Sequence, residues 1–178
     1  MPNQATKSLH ARLAKIKLFL CDVDGILTDS SVFIGLDREI KRFHIRDGLG
    51  LVFLRDHGIP VGWVSNRPSL ATTLRAKELK IDFLVQAKGN KVIAVEEILA
   101  KTGLKWDQVC YMGDDIVDLG VLRRAGFAAT VADAVTEAKA VSHYVTRADG
   151  GRGGVREVVE LILKAQNHWK KLVAAKSA

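Results

Sequence analysis

The sequence predicts an α/β fold in which a Rossmann-like parallel sheet carries helices on both faces. Short apolar runs alternate with longer amphipathic segments along the chain, which is the pattern of repeated βαβ units. The short runs are rich in Val, Leu and Phe, as expected for strands that are covered on both sides. A chain of 178 residues can bury one sizeable core, so residues 1–178 are predicted to form a single domain.

The predicted strands are short and each ends in turn-forming or polar residues. They are "KLFLCDV" (17–23), "PVGWVS" (60–65), "DFLVQ" (82–86), "QVCYMG" (108–113), "FAATVA" (127–132) and "SHYVT" (142–146). The predicted helices are 48–58, 68–80, 90–103, 114–126, 134–140 and a long C-terminal helix over 154–175. Glycine at the ends of the first and third of these helices favours a helix stop.

One small insertion is predicted between the first buried strand and the first of these helices. "SVFIG" and "IKRFHI" are short alternating runs on either side of the turn-like "LDRE", which favours a β-hairpin. The remaining intervals hold only helices and strands of the sheet. No cap domain is therefore expected.

The net charge of +7 lies at the two ends of the chain. The basic segment at about 1–16 and the C-terminal helix and tail at about 153–178 contain most of the excess. Between positions 21 and 160 there are 19 basic and 20 acidic residues, so a nucleic-acid-binding role is not expected. No apolar run approaches the roughly 20 residues that a membrane span needs, and the first residues lack the apolar segment of a signal peptide. A cytoplasmic protein with two free thiols, Cys21 and Cys110, is expected.

Polar side chains follow several predicted strands at one edge of the sheet. Two acids, Asp22 and Asp24, come after the first strand, Ser65 ends the second, and Asp114 follows the fourth. Lys91 opens the helix between the third and fourth strands. Parallel sheets place their functional sites at the carboxyl ends of the strands, so these residues are expected to converge. Clustered carboxylates need a cation, and Mg²⁺ prefers such oxygen ligands together with a phosphate.

The order and type of these residues resemble the haloacid dehalogenase superfamily of phosphohydrolases. Four motifs carry the resemblance: "DVDGILTD" (22–29), the strand-end Ser65, the helix-opening Lys91 and "GDDIVD" (113–118). The resemblance implies that Asp22 is the nucleophile and that Asp24 is the acid and base. Positions i and i+2 of an extended segment face the same way, so both can reach one phosphate.

The resemblance also implies the metal site and its surroundings. Mg²⁺ is expected on the Asp22 carboxylate, the Asp24 backbone carbonyl and the Asp114 carboxylate, with Asp115 and Asp118 as supporting or structural partners. Asp29 is either a turn acid or a support for the site.

A narrower resemblance, over about residues 10–165, is to the capless phosphatases of 3-deoxy-D-manno-octulosonate 8-phosphate. It rests on "KRFHIRDGLG" (41–50) and "GGRGGVREVVELIL" (150–163). It implies a homotetramer in which the hairpins join and neighbouring chains complete each site. It also implies substrate contacts, which are Asp24, His44, Ile45, Arg46, Asp47, Gly48, Arg67, Arg75 and Lys91. Arginine forks suit a substrate that carries both a carboxylate and a phosphate.

Several alternatives stay open from the sequence. Arg75 could equally be a solvated helix charge, and the glycine-rich stretch around Arg152 could be a plain connection or could fold over a site. Asn66 stands where the family commonly has glycine, and Val52 where many members have a basic side chain. The substrate could therefore be a nine-carbon sugar acid 9-phosphate. A non-catalytic oligomerisation module is a further alternative, although a scaffold has no need of clustered carboxylates.

Overall fold

A computed structural model describes residues 4–35 and 38–177, without the side chains of residues 4–6. Within them the strands are β1 Leu18–Cys21, β2 Phe33–Ile34, β3 Glu39–Ile40, β4 Val61–Ser65, β5 Phe83–Gln86, β6 Val109–Met112, β7 Phe127–Thr130 and β8 Tyr144–Val145. The helices are α1 Gln4–Ala14, α2 Ile45–Asp56, α3 Leu70–Glu78, α4 Lys91–Thr102, α5 Leu119–Leu122, α6 Thr136–Val141, α7 Gly154–Ala165 and α8 Trp169–Lys176.

Six strands form one parallel sheet in the order β5-β4-β1-β6-β7-β8. The predicted α/β fold is thereby confirmed. β1 occupies the middle, paired with β4 on one side and β6 on the other, and its four residues are all buried. Because these neighbours are parallel, their carboxyl ends meet at one edge. The residues that follow β1, β4 and β6 therefore come together there.

Helices cover the sheet in two groups. α2 packs against α7, which also contacts α1, while α4 packs against α5 and α5 against α6. Close contact between neighbouring strands depends on Gly62 of β4, since a Cβ there would lie 2.6 Å from Leu20 Cδ2. Leu20 is fully buried, so the glycine leaves room for a large core side chain on the central strand.

The predicted hairpin is present as β2 and β3, which pair antiparallel. Residues 36 and 37 of its predicted turn lie outside the described residues. The predicted second run, 40–45, was wrong beyond Ile40, because the chain leaves the strand there and α2 begins at Ile45. Ile45 is 72% exposed, so the apolar alternation that suggested a strand does not reflect an inward-facing side chain. Between β1 and α2 the described residues contain this hairpin and no cap domain.

Two predicted helices differ from the structure. The predicted helix at 114–126 is a 3₁₀ turn over Ile116–Asp118 followed by the short α5, and the fully buried Asp118 lies in that turn. The long C-terminal helix is broken between α7 and α8, where Asn167 has a φ of 61°. Asparagine tolerates this left-handed conformation better than most residues. The adjoining Gln166 side chain donates hydrogen bonds to the carbonyls of Leu13 and Ile16, which fixes the break against the end of α1.

None of the helices found among the described residues combines the length and the apolar character that a bilayer crossing requires.

Candidate active site

Asp22 lies directly after β1 and is almost completely buried. Its Oδ2 is 2.6 Å from Lys91 Nζ, and its Oδ1 accepts a hydrogen bond of 2.6 Å from the N–H of Val23. The backbone N–H of Asp22 donates to the carbonyl of Met112, so the residue is tied to the end of β6. This carboxylate is held rigidly at the edge of the sheet.

Lys91 forms ion pairs with two carboxylates, those of Asp22 and Asp118. It is the first residue of α4, which begins after the capping residue Asn90, and its side chain is 1% exposed. Nζ is 2.6 Å from Asp22 Oδ2 and 2.8 Å from Asp118 Oδ1. Burial alone would lower the pKa of Lys91, but Asp118 and Asp22 outweigh it and the pKa is raised. Lys91 is therefore a permanent cation between two buried acids.

Asp118 is a structural partner of that lysine. Its Oδ1 also accepts a 2.6 Å hydrogen bond from the Tyr111 hydroxyl, and its Oδ2 accepts one of 3.3 Å from the N–H of Asp115. Burial, followed by the charge of Asp118, raises the pKa of Tyr111 well above its usual value. Both oxygens of Asp118 are thus used within the protein.

Asp114 approaches Asp22 from the end of β6. Burial is the main reason why the pKa of Asp114 rises to about 7, with the charges of Asp118, Asp22 and Asp115 adding to it. Burial, followed by the charge of Asp118, likewise raises the pKa of Asp22 to about 6, although Lys91 opposes the rise. One lysine does not neutralise three acids, so this cluster favours a further cation.

The three carboxylates meet the requirements of a metal site. Asp22, Asp114 and Asp118 each offer an oxygen, and these oxygens lie within 4.8 Å of one another. Asp114 offers a free ligand, because its Oδ1 is buried without a hydrogen-bond partner. Each Asp22 oxygen contacts one donor and keeps a further lone pair for a metal ion. Two carboxylates suit Mg²⁺, which keeps several waters and binds phosphate oxygens.

Gly25 allows the loop after β1 to pass close to this cluster. Its φ is +88°, and a Cβ at this position would lie 2.0 Å from Asp114 Oδ2. Both the backbone conformation and the lack of space require glycine.

Asp24 is held by a residue that sequence reasoning did not identify. Lys41 follows β3, its side chain is fully buried, and Nζ is 2.7 Å and 3.0 Å from the two Asp24 oxygens. Asp24 itself is 25% exposed and stands at the open side of the site. Lys41 belongs to the predicted run at 40–45, but Glu39 falls in the predicted turn, so the sequence did not show that the two residues share one face of an extended segment.

Ser65 ends β4 and is buried. Its Oγ accepts a 3.1 Å hydrogen bond from the N–H of Arg67, so it shapes the turn that leads to α3. Arg67 is more exposed, and its Nη2 is 2.5 Å from Glu39 Oε2. The hairpin therefore contacts this loop as well as Asp24.

The segment from His44 to Gly48 forms the start of α2. Ile45 and Arg46 are exposed, whereas Asp47 is 1% exposed. Its carboxylate accepts the N–H groups of Gly153 and Arg156 at the start of α7, and His44 Nδ1 is 3.4 Å from it. Asp47 therefore caps the N-terminus of α7 with both of its carboxylate oxygens.

Arg75 of α3 packs onto α2 through Gly48. A Cβ on Gly48 would lie 2.5 Å from Arg75 Nη2, and Arg75 Nη1 is 2.7 Å from Glu78 Oε2. The Nε of Arg75 is buried without a hydrogen-bond partner. Arg75 is therefore not simply a solvated charge, although its other end is paired with an exposed acid.

The glycine-rich segment before α7 is packed firmly on the loop after β1. The N–H of Gly151 donates to the carbonyl of Ile26, and a Cβ on Gly150 would lie 1.9 Å from the Gly25 carbonyl oxygen. The exposed Arg152 borders an open pocket of about 330 Å³.

Asp29 belongs to the base of the hairpin. It accepts the N–H of Ser31 and forms an ion pair with Arg42. This arrangement fits the turn role that the sequence left open.

Comparisons with known proteins agree with this geometry. The family profile described as haloacid dehalogenase-like hydrolase matches residues 56–159. The 3-deoxy-D-manno-octulosonate 8-phosphate phosphatase of Yersinia pestis is 41% identical over 88% of this chain and 84% of that protein. Its counterpart from Escherichia coli K12 is 38% identical over the same shares.

Solved structures give the same result. The phosphatase of that name from Moraxella catarrhalis, in complex with magnesium ion, phosphate ion and KDO, superposes with a TM-score of 0.93. It is 39% identical and covers 95% of this chain and 98% of its own. A cobalt-bound form from Haemophilus influenzae gives a TM-score of 0.85 at 37% identity, over 88% of this chain and 92% of its own.

Replacing Lys91 by methionine tests the neutralising role of the buried cation. Lys91→Met leaves Asp22 and Asp118 buried without a positive partner, so the free energy of unfolding should fall by about 3 kcal/mol. Urea denaturation without Mg²⁺ measures this change. Lys101→Met, on the exposed part of the same helix, is the matched control and should change stability by less than about 0.5 kcal/mol. Equal stability of the two variants would contradict the role.

The pH dependence of metal binding tests the raised pKa values of Asp22 and Asp114. Without Mg²⁺ the folded protein holds protons on these groups at pH values where the unfolded chain, with an Asp pKa of about 3.9, has lost them. The unfolding free energy should therefore fall as pH rises from about 4 to about 7.

Mg²⁺ competes with these protons, so it should raise the thermal midpoint more at about pH 7.5 than at about pH 5. Asp114→Asn should remove most of that difference. An equal rise at both pH values in the unmutated protein would show that the acids are already ionised.

Proposed function

Because the chain belongs to the haloacid dehalogenase-like hydrolase family, we propose that it is a Mg²⁺-dependent phosphatase of 3-deoxy-D-manno-octulosonate 8-phosphate. The resemblance found in the sequence is confirmed by these relatives. The observation that carries the proposal is the buried cluster at the carboxyl end of the sheet. There, Lys91 holds Asp22 from one side and Asp114 offers an unpartnered oxygen on the other.

The reaction proceeds in two halves through the carboxylates that follow β1. An oxygen of Asp22 attacks phosphorus and forms an aspartyl phosphate, while the sugar alkoxide leaves with a proton from Asp24. Asp24 then takes a proton from water, which attacks the aspartyl phosphate and releases inorganic phosphate. The carboxylates of Asp22 and Asp114 and the Asp24 carbonyl would hold Mg²⁺, which would supply positive charge to the phosphate oxygens.

Lys91 and Ser65 support these steps. Lys91 fixes Asp22 through one oxygen, which leaves the carboxylate oriented for in-line attack and supplies positive charge near the phosphate. Ser65 lies at the end of the adjacent strand, where its hydroxyl can donate to a phosphate oxygen.

The sugar acid is expected to lie above the site, between the start of α2 and the loop after β4. Arg67, Arg46 and His44 are the exposed or half-buried groups there, and a 2-keto sugar acid offers a carboxylate for them to bind. The named activity of the relatives and the KDO bound to the Moraxella protein support the eight-carbon substrate over a nine-carbon one. Clustered catalytic acids argue against a mere oligomerisation module.

A homotetramer is part of this proposal. The hairpin exposes Phe33, Ile34 and Ile40, which are 61%, 82% and 57% exposed, and Ile45 lies close by in sequence. Large apolar groups gathered on one small element are typical of an interaction surface. A second copy of the hairpin would cover them, and neighbouring chains would then border each site. Cytoplasmic location and a single domain over 1–178 remain predictions of the sequence.

Steady-state phosphate release tests the substrate and the nucleophile together. With Mg²⁺, kcat/KM should be at least about tenfold higher for the eight-carbon 8-phosphate than for a nine-carbon 9-phosphate. Asp22→Asn should lower kcat by roughly 10⁴-fold or more with both substrates. Preference for the nine-carbon ester would change the proposed substrate but not the proposed reaction. Full activity of Asp22→Asn would refute the assignment of Asp22 as the nucleophile.

Light scattering tests the assembly. The unmutated chain should have the mass of a tetramer, and Ile34→Lys should lower that mass because it puts a charge into the covered hairpin surface. Ile93→Lys is the control, since Ile93 is an exposed isoleucine on α4 outside the hairpin. A monomeric mass for the unmutated protein would overturn the proposed tetramer.

A further inference from the structure

We propose that Lys41 is a positioning residue for Asp24, and that the hairpin thereby sets the geometry of the acid and base. This inference rests on the proposed function. It is carried by a contact that the four phosphohydrolase motifs do not include, because Lys41 lies outside all of them.

The Lys41 ammonium group makes its polar contacts within the protein. Nζ donates hydrogen bonds to Asp24 Oδ2 at 3.0 Å and to Thr72 Oγ1 at 3.3 Å. It also lies 2.7 Å from Asp24 Oδ1 and 3.8 Å from Glu39 Oε1 as ion-pair contacts. The Lys41 side chain is not exposed to solvent. These contacts fix the position of the buried cation, and they hold the Asp24 carboxylate by one hydrogen bond and a close ion pair.

Thr72 connects this contact to α3. Its side chain is fully buried, and its backbone N–H donates to the Oγ of Ser69, the capping residue of the helix. The Ser69 hydroxyl in turn donates a 2.6 Å hydrogen bond to Glu39 Oε1. A chain of polar contacts therefore runs from Asp24 through Lys41 and α3 back to the hairpin.

Glu39 and Lys41 act as a pair because of strand geometry. Residues two apart in an extended segment face the same side, and here both face α3. Glu39 also binds Arg67 in the loop after β4. Burial by itself would raise the pKa of Glu39, but the hydrogen bond from Ser69 together with the charges of Lys41 and Arg67 outweighs it, so the pKa is lowered.

The consequence is chemical. Asp24 is the more exposed of the two acids after β1 and, without Lys41, its carboxylate would be free to rotate toward solvent. Proton transfer requires the acid within hydrogen-bond reach of the leaving oxygen. Lys41 reduces that freedom, so its loss should slow the step that needs Asp24 and spare steps that do not.

A double-mutant cycle tests this on the Mg²⁺-loaded enzyme. Lys41→Met, which keeps the length of the side chain and removes its donors, should lower kcat/KM for the sugar acid phosphate by about 10- to 100-fold. In an Asp24→Asn background Lys41→Met should lower kcat/KM by less than about threefold, because the carboxylate that Lys41 positions is no longer there. Full additivity in the cycle would overturn the proposal.

The leaving group gives a second readout, which a purely structural defect would not move. A sugar alkoxide needs a proton to depart, whereas p-nitrophenolate hardly does. Lys41→Met should therefore lower kcat/KM for p-nitrophenyl phosphate at least about fivefold less than for the sugar ester. Equal losses on both esters would contradict a positioning role and indicate damage to the whole site.

Further variants keep the test decisive. Thr72→Val removes only the hydrogen bond from Lys41 to Thr72. It should lower kcat/KM for the sugar ester about 3- to 10-fold more than for p-nitrophenyl phosphate, and it provides the test even if Lys41→Met does not fold. Lys77→Met, an exposed lysine on α3, is the control and should leave both rates unchanged. Thr72→Val with unaltered selectivity would count against the proposal. If the unmutated enzyme rejects the sugar acid phosphate, the proposed substrate fails, and the cycle is run with another alkyl phosphate.

Discussion

The carboxylate cluster around Asp22 depends on the buried cation Lys91. Lys91 sits between Asp22 and Asp118, and without it two acids would be held in the interior with no positive partner. An isolated buried carboxylate is costly, so such groups either find a cation or take up a proton. In the proposed mechanism Lys91 opposes the rise in the pKa of Asp22 that burial causes and fixes one oxygen of this nucleophile. Asp114 receives no such partner, and this imbalance is what favours a bound metal ion.

The fold supplies this arrangement through strand order. β1 lies between β4 and β6, so the residues after three neighbouring strands are brought to one edge although they are distant in sequence. Close backbone approach completes the site. Gly25 passes Asp114, and Gly150 packs on the carbonyl of Gly25, at distances that leave no space for a Cβ. The glycine-rich segment before α7 thereby packs against the loop that contains Asp24 and Gly25.

Much of this could be predicted from the sequence, because the information was local. Apolar runs followed by Asp22, Ser65 or Asp114 gave the strands and the edge at which they meet. The turn at Asp118 could not be predicted in the same way, because residues 114–126 have a helical pattern. Nothing in that pattern shows that Asp118 accepts buried hydrogen bonds from Lys91 and Tyr111. The break at Asn167 was missed because the amphipathic pattern continues through it.

Lys41 was missed for a similar reason. A lysine in an exposed hairpin normally points to solvent, and nothing near it in sequence shows that Asp24 and Thr72 lie within reach. The hydrogen bonds of Asp47 could not be predicted either, because its partners are N–H groups more than a hundred residues away; its contact to the substrate stays a prediction. Contacts of this kind depend on tertiary structure, and propensity or spacing does not indicate them.

The central claim is that Asp22, held by Lys91, carries the phosphoryl group during turnover. Acid quenching of the Mg²⁺-loaded enzyme within its first turnover, followed by peptide mass mapping, tests it directly. The account predicts one added phosphoryl group on the peptide that contains Asp22 and none in Asp22→Asn. A phosphoryl group on another residue, or active enzyme in which no labelled peptide forms under conditions that preserve acyl phosphates, would contradict it.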